Sequence, residues 1–95
     1  MQSYYVYILK CADDSYYIGH TDNLESRLVA HQQKLLPSYT NTRLPVQLVF
    51  LQEFGERDEA FAAERKLKGW SRKKKEALIN GEHTLLRAYS KKKFL

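Results

Sequence analysis

The alternation of apolar and polar positions divides the chain into six regular segments, beginning with a hairpin and a helix. Two aromatic and β-branched runs, YYVYILKC and YYIGHT, flank the turn-forming residues ADDS, which predicts a β-hairpin. Apolar residues then recur at helical spacing at Leu24, Leu28 and Leu35. The segment LESRLVAHQQKLL is therefore predicted to be a helix with one buried face, started by the capping residues of TDN.

The second half of the chain continues with one strand and two helices. After the irregular loop PSYTNTRLP, the run VQLVFLQEF predicts a third strand. The segment beginning GERD predicts a helix with acids in its first turn, where they complement the helix dipole, and Gly69 is expected to close or kink it. SRKKKEALING predicts a third helix, capped by Ser71 and ended by Gly81. This order predicts a small α+β domain with helices packed on a three-stranded antiparallel or mixed sheet.

Composition limits the class of protein. A chain of 95 residues that is 43% hydrophobic and 28% charged predicts one small domain, assigned here to residues 1–82, followed by a basic C-terminal tail at 83–95. The single cysteine, Cys11, excludes an intrachain disulfide, and no Cys/His cluster has zinc-ligand spacing. No export signal and no run of the ~20 apolar residues that a membrane helix requires is visible. We therefore expect a cytoplasmic protein without a membrane role.

The net charge of +5 is unevenly distributed along the chain. Residues 1–63 hold five Lys or Arg residues against eight Asp or Glu, whereas residues 64–95 hold eleven against three. Basic clusters such as RKKK and SKKKFL attract a polyanion through counterion release. A solvated helix face with a frayed tail is the alternative interpretation, because basic surface also serves solubility.

Glu64 interrupts the apolar stripe predicted for the second helix. At about 100° per residue, that stripe consists of Ala60, Phe61, Ala63 and Leu67, and Glu64 lies inside it. Burying an unpaired carboxylate raises the free energy of the folded state by roughly several kcal/mol. We therefore expect Glu64 to have a salt bridge, a raised pKa or a metal ion.

Two further polar residues belong to the buried side of the first helix. His31 falls on the Leu24 and Leu28 stripe, and Arg27 borders it. A hydrogen-bonded core histidine explains the first, and an arginine that bridges to Glu64 or extends to water explains the second. A functional interpretation is favoured because arginine, histidine and glutamate all point toward one tyrosine-rich sheet.

Several motifs in the chain resemble the motif series of the GIY-YIG nuclease superfamily. They are Tyr5-Val6-Tyr7, Tyr17-Ile18-Gly19, the segment from Asn23 to Arg27 with His31, and Glu64. The resemblance covers essentially the whole chain and is closest to the small single-domain bacterial members. The chain departs from the pattern in two places: Tyr5 replaces the leading glycine of the first motif, and His20 stands where some relatives have a lysine.

The resemblance implies an α/β sandwich and phosphodiester hydrolysis with one divalent metal ion, Mg²⁺ or Mn²⁺. Five residues receive roles by this carry-over: Tyr7 and Tyr17 as active-site phenols, Arg27 as the phosphate-binding cation, Glu64 as the metal ligand, and His31 as an accessory residue. His20 departs from the pattern; it suits a phosphate contact or a proton relay, and a half-exposed strand-end residue is the alternative interpretation. A phenol titrates near ~10, so it serves as general base only when a cation lowers that value or a metal acidifies the attacking water. The sequence leaves open which tyrosine is the base.

The hairpin loop decides whether the two phenols share a face of the sheet. A two-residue turn at Asp13-Asp14 sets Tyr7 opposite His20 and places Tyr7 and Tyr17 on opposite faces. A three-residue loop at Ala12 to Asp14, or a bulge, places both phenols on one face. The resemblance requires the second arrangement if both phenols are catalytic.

The substrate expected from these features is DNA, whether single-stranded or branched. No separate specificity domain is visible, so we expect a nuclease directed by backbone or structure and not by base sequence. The candidates for backbone contacts are Arg43, Arg72, Lys73, Lys74 and Lys75. Trp70 is interpreted as a helix-end core residue or as a stacking platform. The alternatives are a non-catalytic nucleic-acid-binding module and a subunit that cuts only when a partner protein supplies specificity.

Overall fold

The computed structural model of the chain describes residues 2–35 and 38–81, so the predicted basic tail at 83–95 lies outside the described residues. Its elements occur in the predicted order. They are β1 (Tyr4–Lys10), β2 (Tyr16–Thr21), α1 (Leu24–Gln32), a short 3₁₀ helix (Tyr39–Thr42), β3 (Gln47–Phe54), α2 (Arg57–Lys68) and α3 (Arg72–Ile79). None of the helices in this part of the chain is long and apolar enough to cross a membrane.

The three strands form an antiparallel sheet in the order β2-β1-β3. Strand β1 is central, and within the described residues β2 and β3 are its edges. A bulge in β3 lets Ile8 pair with Phe50 while Leu9 pairs with Leu48, so Val49 is the extra residue. Because β1 pairs antiparallel with both of its neighbours, the sheet is antiparallel and not mixed.

A three-residue loop joins β1 to β2. The backbone N–H of Cys11 donates to the carbonyl of Ser15 at 2.8 Å, which leaves Ala12, Asp13 and Asp14 as the loop. Asp14 has a φ of 66°, the left-handed conformation that ends the usual three-residue hairpin turn. Tyr7 consequently pairs with Gly19.

This register places Tyr7 and Tyr17 on the same face of the sheet, because Tyr17 pairs with Leu9 and strand residues two apart share a face. The three-residue alternative predicted from the sequence is confirmed, and the two-residue turn is excluded. Both phenols can therefore contribute to one site.

Helices cover both faces of the sheet. On one face, Leu24 and Leu28 of α1 pack with the odd-numbered side chains of β1, including Tyr7 and Leu9. On the other face, α2 and α3 pack over a second core cluster. Its buried members are Val6, Ile8, Ile18, Phe50, Ala60 and Leu67. The chain is a three-layer sandwich in which α1 and α2 approach the sheet from opposite sides.

The helix boundaries follow the predicted caps with two corrections. The side chain of Asn23 caps α1 by accepting from Ser26 N at 3.1 Å, and Ser71 caps α3 by accepting from Lys74 N at 3.2 Å. Helix α1 ends at Gln32, however, so Leu35 lies beyond it and is 64% exposed instead of continuing the buried stripe. Phe61 is also 45% exposed, because the buried side of α2 runs through other positions. Those positions are Ala60, Glu64 and Leu67.

Candidate active site

Tyr7 lies at the centre of the candidate site, fully buried on the central strand. Its ring covers Gly19 of the neighbouring strand: a Cβ atom at residue 19 would lie 2.6 Å from the Tyr7 hydroxyl oxygen and 2.7 Å from Cζ. Such contacts are shorter than real Cβ atoms tolerate, and Tyr7 has no room to move in the packed interior. A glycine at residue 19 is therefore what lets the phenol lie across β2.

His31 holds the Tyr7 hydroxyl from the α1 side. The hydroxyl oxygen lies 2.9 Å from Nε2 of His31, and Nδ1 of the same ring lies 2.8 Å from Oγ1 of Thr40. The Thr40 hydroxyl donates to Oγ of Ser38 at 3.3 Å, so its oxygen accepts the hydrogen bond that Nδ1–H of His31 donates. This network assigns the neutral tautomer in which Nε2 accepts the hydrogen bond that Tyr7 donates.

The environment of His31 keeps the imidazole neutral. The side chain is fully buried, and burial followed by the positive charge of Arg27 lowers its pKa from 6.5 to about 4. The sequence interpretation of a hydrogen-bonded core histidine is thus correct for its packing. The hydrogen bond to Tyr7 also places it at the candidate site.

Tyr17 and two charged groups surround the Tyr7 phenol. The Tyr17 ring centroid lies 6.2 Å from that of Tyr7 and 5.0 Å from that of His31. Burial is the main reason that the pKa of Tyr7 lies above its ordinary value, and the nearby Tyr17 and Glu64 raise it further, while Arg27 acts in the opposite direction. Tyr7 therefore keeps its proton at neutral pH, and it is close enough to both Arg27 and Glu64 to respond to their charges.

Glu64 reaches the site from α2, on the other face of the sheet. Its carboxylate accepts from Nδ1 of His20 at 2.7 Å and from the Lys68 ammonium at 3.0 Å. Burial acts to raise the pKa of Glu64, but the hydrogen bonds and charges of His20 and Lys68 together lower it below its ordinary value. The partner that the sequence demanded is found in these two residues and not in Arg27.

His20 connects β2 to α2. It follows Gly19, so its side chain points to the α2 face, where it also meets the ring of Phe61 edge-on at a centroid distance of 5.4 Å. Tyr7 and Glu64 thus approach the same short stretch of β2 from opposite faces. The predicted residues Tyr7, Tyr17, His20, His31 and Glu64 are brought together here, with Arg27 close enough to affect two of them electrostatically.

The donor set near Glu64 suits only a metal ion most of whose ligands are water molecules or substrate oxygens. In the described residues no group of three or more His, Cys, Asp or Glu side chains could hold a metal. Glu64 is one acceptor, and its partner Lys68 is 56% exposed, so the lysine has room to move aside. Mg²⁺ is commonly held by one or two carboxylates plus waters and phosphate oxygens, so the residues present fit a substrate-assisted site of this kind.

The predicted nucleic-acid contacts lie at two separate places. Arg43 lies near the hairpin loop, where its Nε donates to Asp13 at 3.1 Å and its guanidinium stacks 3.8 Å above the ring centroid of Tyr39. The other four candidates are on α3: Arg72, Lys73, Lys74 and Lys75. Arg72 lies over Tyr16 at 4.5 Å, and Lys74 lies over Trp70 at 4.3 Å.

Trp70 packs partly buried against the second core cluster, as a helix-end core residue does. Its ring borders a cavity of about 250 Å³ between β3 and the helices, remote from the Tyr7 side of the sheet. The core interpretation of Trp70 therefore accounts for its packing.

Two residues of the site had not been singled out from the sequence. Lys68 is four residues after Glu64, and that spacing on a helix was a usable signal for an ion pair. Thr40 lies in the segment read as an irregular loop, nine residues after His31, and no local pattern links the two. Only the fold brings Thr40 under the imidazole.

The fold and site define a small α+β domain in which phenol, guanidinium and carboxylate groups are gathered around one stretch of β2, a set suited to phosphoryl chemistry. The family model described as the GIY-YIG catalytic domain matches residues 3–77. The chain belongs to this family, and the resemblance noted in its motifs is confirmed. A nuclease-type function and a nucleic-acid substrate are the general properties that follow.

Similar proteins support the same assignment. A UPF0213 protein of Streptococcus pneumoniae is 42% identical over 76 residues, covering 80% of this chain and 77% of the relative. One of Staphylococcus haemolyticus is 42% identical over 79 residues, covering 83% and 96%. The solution NMR structure of a UPF0213 protein from Bacillus halodurans has a TM-score of 0.58 at 35% identity, covering 94% of this chain and 95% of that one.

Proposed function

We propose that this chain is a divalent-metal-dependent endonuclease that hydrolyses phosphodiester bonds in DNA and is directed by backbone or DNA shape instead of base sequence. The observation that carries the proposal is the placement of the Tyr7 hydroxyl, which donates to a neutral imidazole and responds to the charges of both Arg27 and Glu64. These are the groups that hydrolysis of a phosphodiester needs: a proton acceptor, a phosphate-binding cation and a carboxylate for a metal ion.

Tyr7 is the phenol best placed to accept a proton. Its raised pKa means that it does not act as a preformed phenolate at neutral pH. Its proton points at Nε2 of His31, so the oxygen is free to take a proton from an attacking water while its own proton moves to the imidazole. The neutral state of His31 leaves the lone pair of Nε2 free to accept the hydrogen bond from Tyr7. Because burial and Arg27 lower its pKa to about 4, His31 is a weak base, and it takes up the proton only when the negative charge of a bound phosphate offsets the charge of Arg27.

Arg27 and His20 bind and orient the phosphate in this proposal. The guanidinium of Arg27 is half-buried beside Tyr7 and His31, and its planar donors suit the charged oxygens of a phosphoryl group. His20 fixes Glu64 through the 2.7 Å hydrogen bond and presents its other ring nitrogen for a phosphate contact. Tyr17 closes the aromatic side of the site against Tyr7 and His31.

Glu64 is the residue that would hold the divalent cation. One Mg²⁺ or Mn²⁺ there, with water and phosphate oxygens as further ligands, would stabilise the leaving oxygen and offset the carboxylate charge that raises the pKa of Tyr7. The hydrogen bond from His20 keeps one carboxylate oxygen in place, and the second oxygen becomes available when Lys68 swings into solvent.

A cleavage assay with matched variants tests the proposal. Labelled single-stranded, duplex, flap and forked DNAs are incubated with Mg²⁺ or Mn²⁺ and wild type, Glu64→Gln or Lys66→Gln. Lys66 is an exposed α2 residue near Glu64 in sequence, and its change serves as the control. We expect cutting that stops in chelator, falls at least about 100-fold in Glu64→Gln and persists in Lys66→Gln.

Three outcomes would count against a metal-dependent nuclease. Cutting that continues in chelator, or that is equal in wild type and Glu64→Gln, removes the assigned role of Glu64. DNA binding without cutting under either metal favours a binding module or a subunit that needs a partner protein. A cytoplasmic location for this activity stays a prediction.

A further inference from the structure

A groove runs along the outer edge of β2 beside the candidate active site. Its volume is about 270 Å³, and we call it the edge groove. Its lining residues come from β2, the 3₁₀ helix, α2 and α3. They are Tyr16, Tyr17, Ile18, Tyr39, Lys68 and Lys75. The groove therefore crosses from one face of the sheet to the other at a strand that is an edge in the described part of the chain.

The edge groove adjoins the candidate site through two of its lining residues. Tyr17 lines the groove and also packs 5.0 Å, centroid to centroid, from the ring of His31. Lys68 lines the groove and also binds the Glu64 carboxylate at 3.0 Å. A molecule lying in the groove is consequently led toward the Tyr7 hydroxyl and Glu64.

The groove is cationic. Its two charged lining residues are lysines, and no acidic side chain lines it among the described residues. Two arginines lie immediately behind its aromatic walls, with Arg43 over Tyr39 at 3.8 Å and Arg72 over Tyr16 at 4.5 Å. The ligand that matches such a surface is an anion with repeated charges, as a phosphate backbone has.

The aromatic walls distinguish unpaired nucleotides from a duplex. Tyr39 is 44% exposed, and Arg43 packs on one face of its ring at 3.8 Å, so the exposed part of the ring is where a base could stack. Bases of a duplex are already paired and stacked, so a duplex would offer only its phosphates to the lysines. Aromatic rings alternating with cations are instead the usual surface for single-stranded nucleic acid.

We propose that the edge groove binds single-stranded DNA, with phosphates on Lys68 and Lys75 and a base stacked on Tyr39, and leads the strand into the active site. This inference rests on the proposed function and names its substrate class as an unpaired DNA segment. Tyr39 and Lys75 are the residues that determine specificity in this proposal. Neither contacts the groups assigned to hydrolysis, so they act on binding alone.

Binding is measured first, without cleavage, so that the groove is tested independently of catalysis. The anisotropy of a fluorescein-labelled 12-nucleotide oligo-dT and of a labelled duplex of equal length is titrated with each variant in chelator. The groove variants are Tyr39→Leu and Lys75→Gln. Tyr39→Phe keeps the ring, and Lys66→Gln removes an exposed α2 charge that does not line the groove.

We expect Tyr39→Leu to weaken oligo-dT binding by about 5-fold or more, whereas Tyr39→Phe binds like wild type. Lys75→Gln should weaken it more than Lys66→Gln and reduce the slope of log K against log salt by about 0.7, the value for one phosphate contact to a single strand. Duplex binding should change little in Tyr39→Leu. Thermal unfolding of each variant checks that the fold is intact.

Three results would overturn the inference. They are equal oligo-dT affinity in wild type and Tyr39→Leu, equal effects of Lys75→Gln and Lys66→Gln, and a loss in Tyr39→Leu that is as large for the duplex. Cleavage assays then separate this inference from the proposed function. If binding depends on the groove but wild type does not cut DNA, the groove is supported and the proposed nuclease function is rejected. If wild type cuts in a metal-dependent way but the groove variants bind oligo-dT as wild type does, the nuclease function is supported and the groove is rejected.

Discussion

The ring of Tyr7 occupies the space that any side chain at residue 19 would need, since a Cβ there would lie 2.6 Å from the tyrosine hydroxyl oxygen. Gly19→Ala therefore must displace the phenol or spread β1 from β2. We expect the change to lower the free energy of unfolding by about 1–3 kcal/mol, as overpacking does. We also expect a loss of cleavage of at least about 10-fold, because either change alters the position of the phenol relative to the active site. Urea unfolding and the cleavage assay measure the two effects.

Gly55→Ala is the matched control for this prediction. A Cβ at Gly55 meets no atom within 4 Å, so the same added methyl group has no steric consequence there. Its stability and activity should stay close to wild type. Wild-type cleavage by Gly19→Ala at full stability would show that the close contact has no part in placing the phenol.

The sequence predicted the order of elements because each segment carries its own local signal. The alternating aromatic runs indicated β1 and β2, and side chains such as Asn23 and Ser71 marked helix starts through hydrogen bonds within one turn. Leu35 was assigned wrongly because spacing alone does not say where α1 stops. The backbone N–H of Leu35 bonds to the carbonyl of Ala30, which belongs to the turn that ends α1.

The site was less predictable from local patterns because it is assembled across the sheet. The hairpin left two registers open, and the left-handed conformation of Asp14 selects the one that unites Tyr7 with Tyr17. The spacing placed Glu64 on the buried side of α2 but gave no means of choosing His20 from β2 as its partner. Such contacts, 44 residues apart in sequence, depend on how the layers pack.

His31 should make the stability of the fold sensitive to acid. Its folded pKa of about 4 lies below the ordinary 6.5, so its contribution is fully present above pH 6.5 and is lost as pH falls toward 4. The loss should amount to about 3 kcal/mol. The neutral variant His31→Gln lacks this component, so its stability should fall less than that of wild type between pH 7 and pH 4. Urea unfolding at a series of pH values measures it.

His20→Gln serves as the control for the acid prediction. It removes a histidine from β2 and leaves the buried imidazole of His31 in place. Its loss of stability between pH 7 and pH 4 should therefore include the His31 component that His31→Gln lacks. Identical pH profiles for wild type and His31→Gln would mean that the buried imidazole accepts a proton without cost.

The hydrogen bond between His20 and Glu64 predicts different outcomes for two substitutions at residue 20. His20→Ala removes the 2.7 Å contact and the edge contact with Phe61, so Glu64 loses its fixed orientation. We expect about a 10-fold or larger loss of cleavage. His20→Lys supplies an N–H donor that can reach the same carboxylate and should retain most activity. Equal losses in both variants would indicate that the imidazole ring itself is required.

Asp14 offers a test of the loop that sets the register of the two phenols. Its φ of 66° is unstrained for glycine and costly for a β-branched side chain. Its ion pair with Lys10, at 3.6 Å between side chains 43% and 76% exposed, contributes little. Asp14→Gly should therefore leave stability within about 0.5 kcal/mol of wild type, while Asp14→Ile should lower it by about 1–2 kcal/mol.

Asp13→Ile is the control for the Asp14 pair, because it places the same side chain one residue earlier in the loop, where φ is not positive. Asp13→Ile loses the hydrogen bonds to Ser15 and Arg43, so its loss of stability has a different origin from that of Asp14→Ile. The part of this loss that comes from the Arg43 ion pair should be smaller at high salt, because salt screens the ion pair in wild type. The cost of Asp14→Ile is steric and should be unchanged by salt. A salt-independent difference in the free energy of unfolding between Asp14→Gly and Asp14→Ile would thus show that the three-residue loop requires a left-handed residue at position 14. The pairing of Tyr7 with Gly19 depends on that loop.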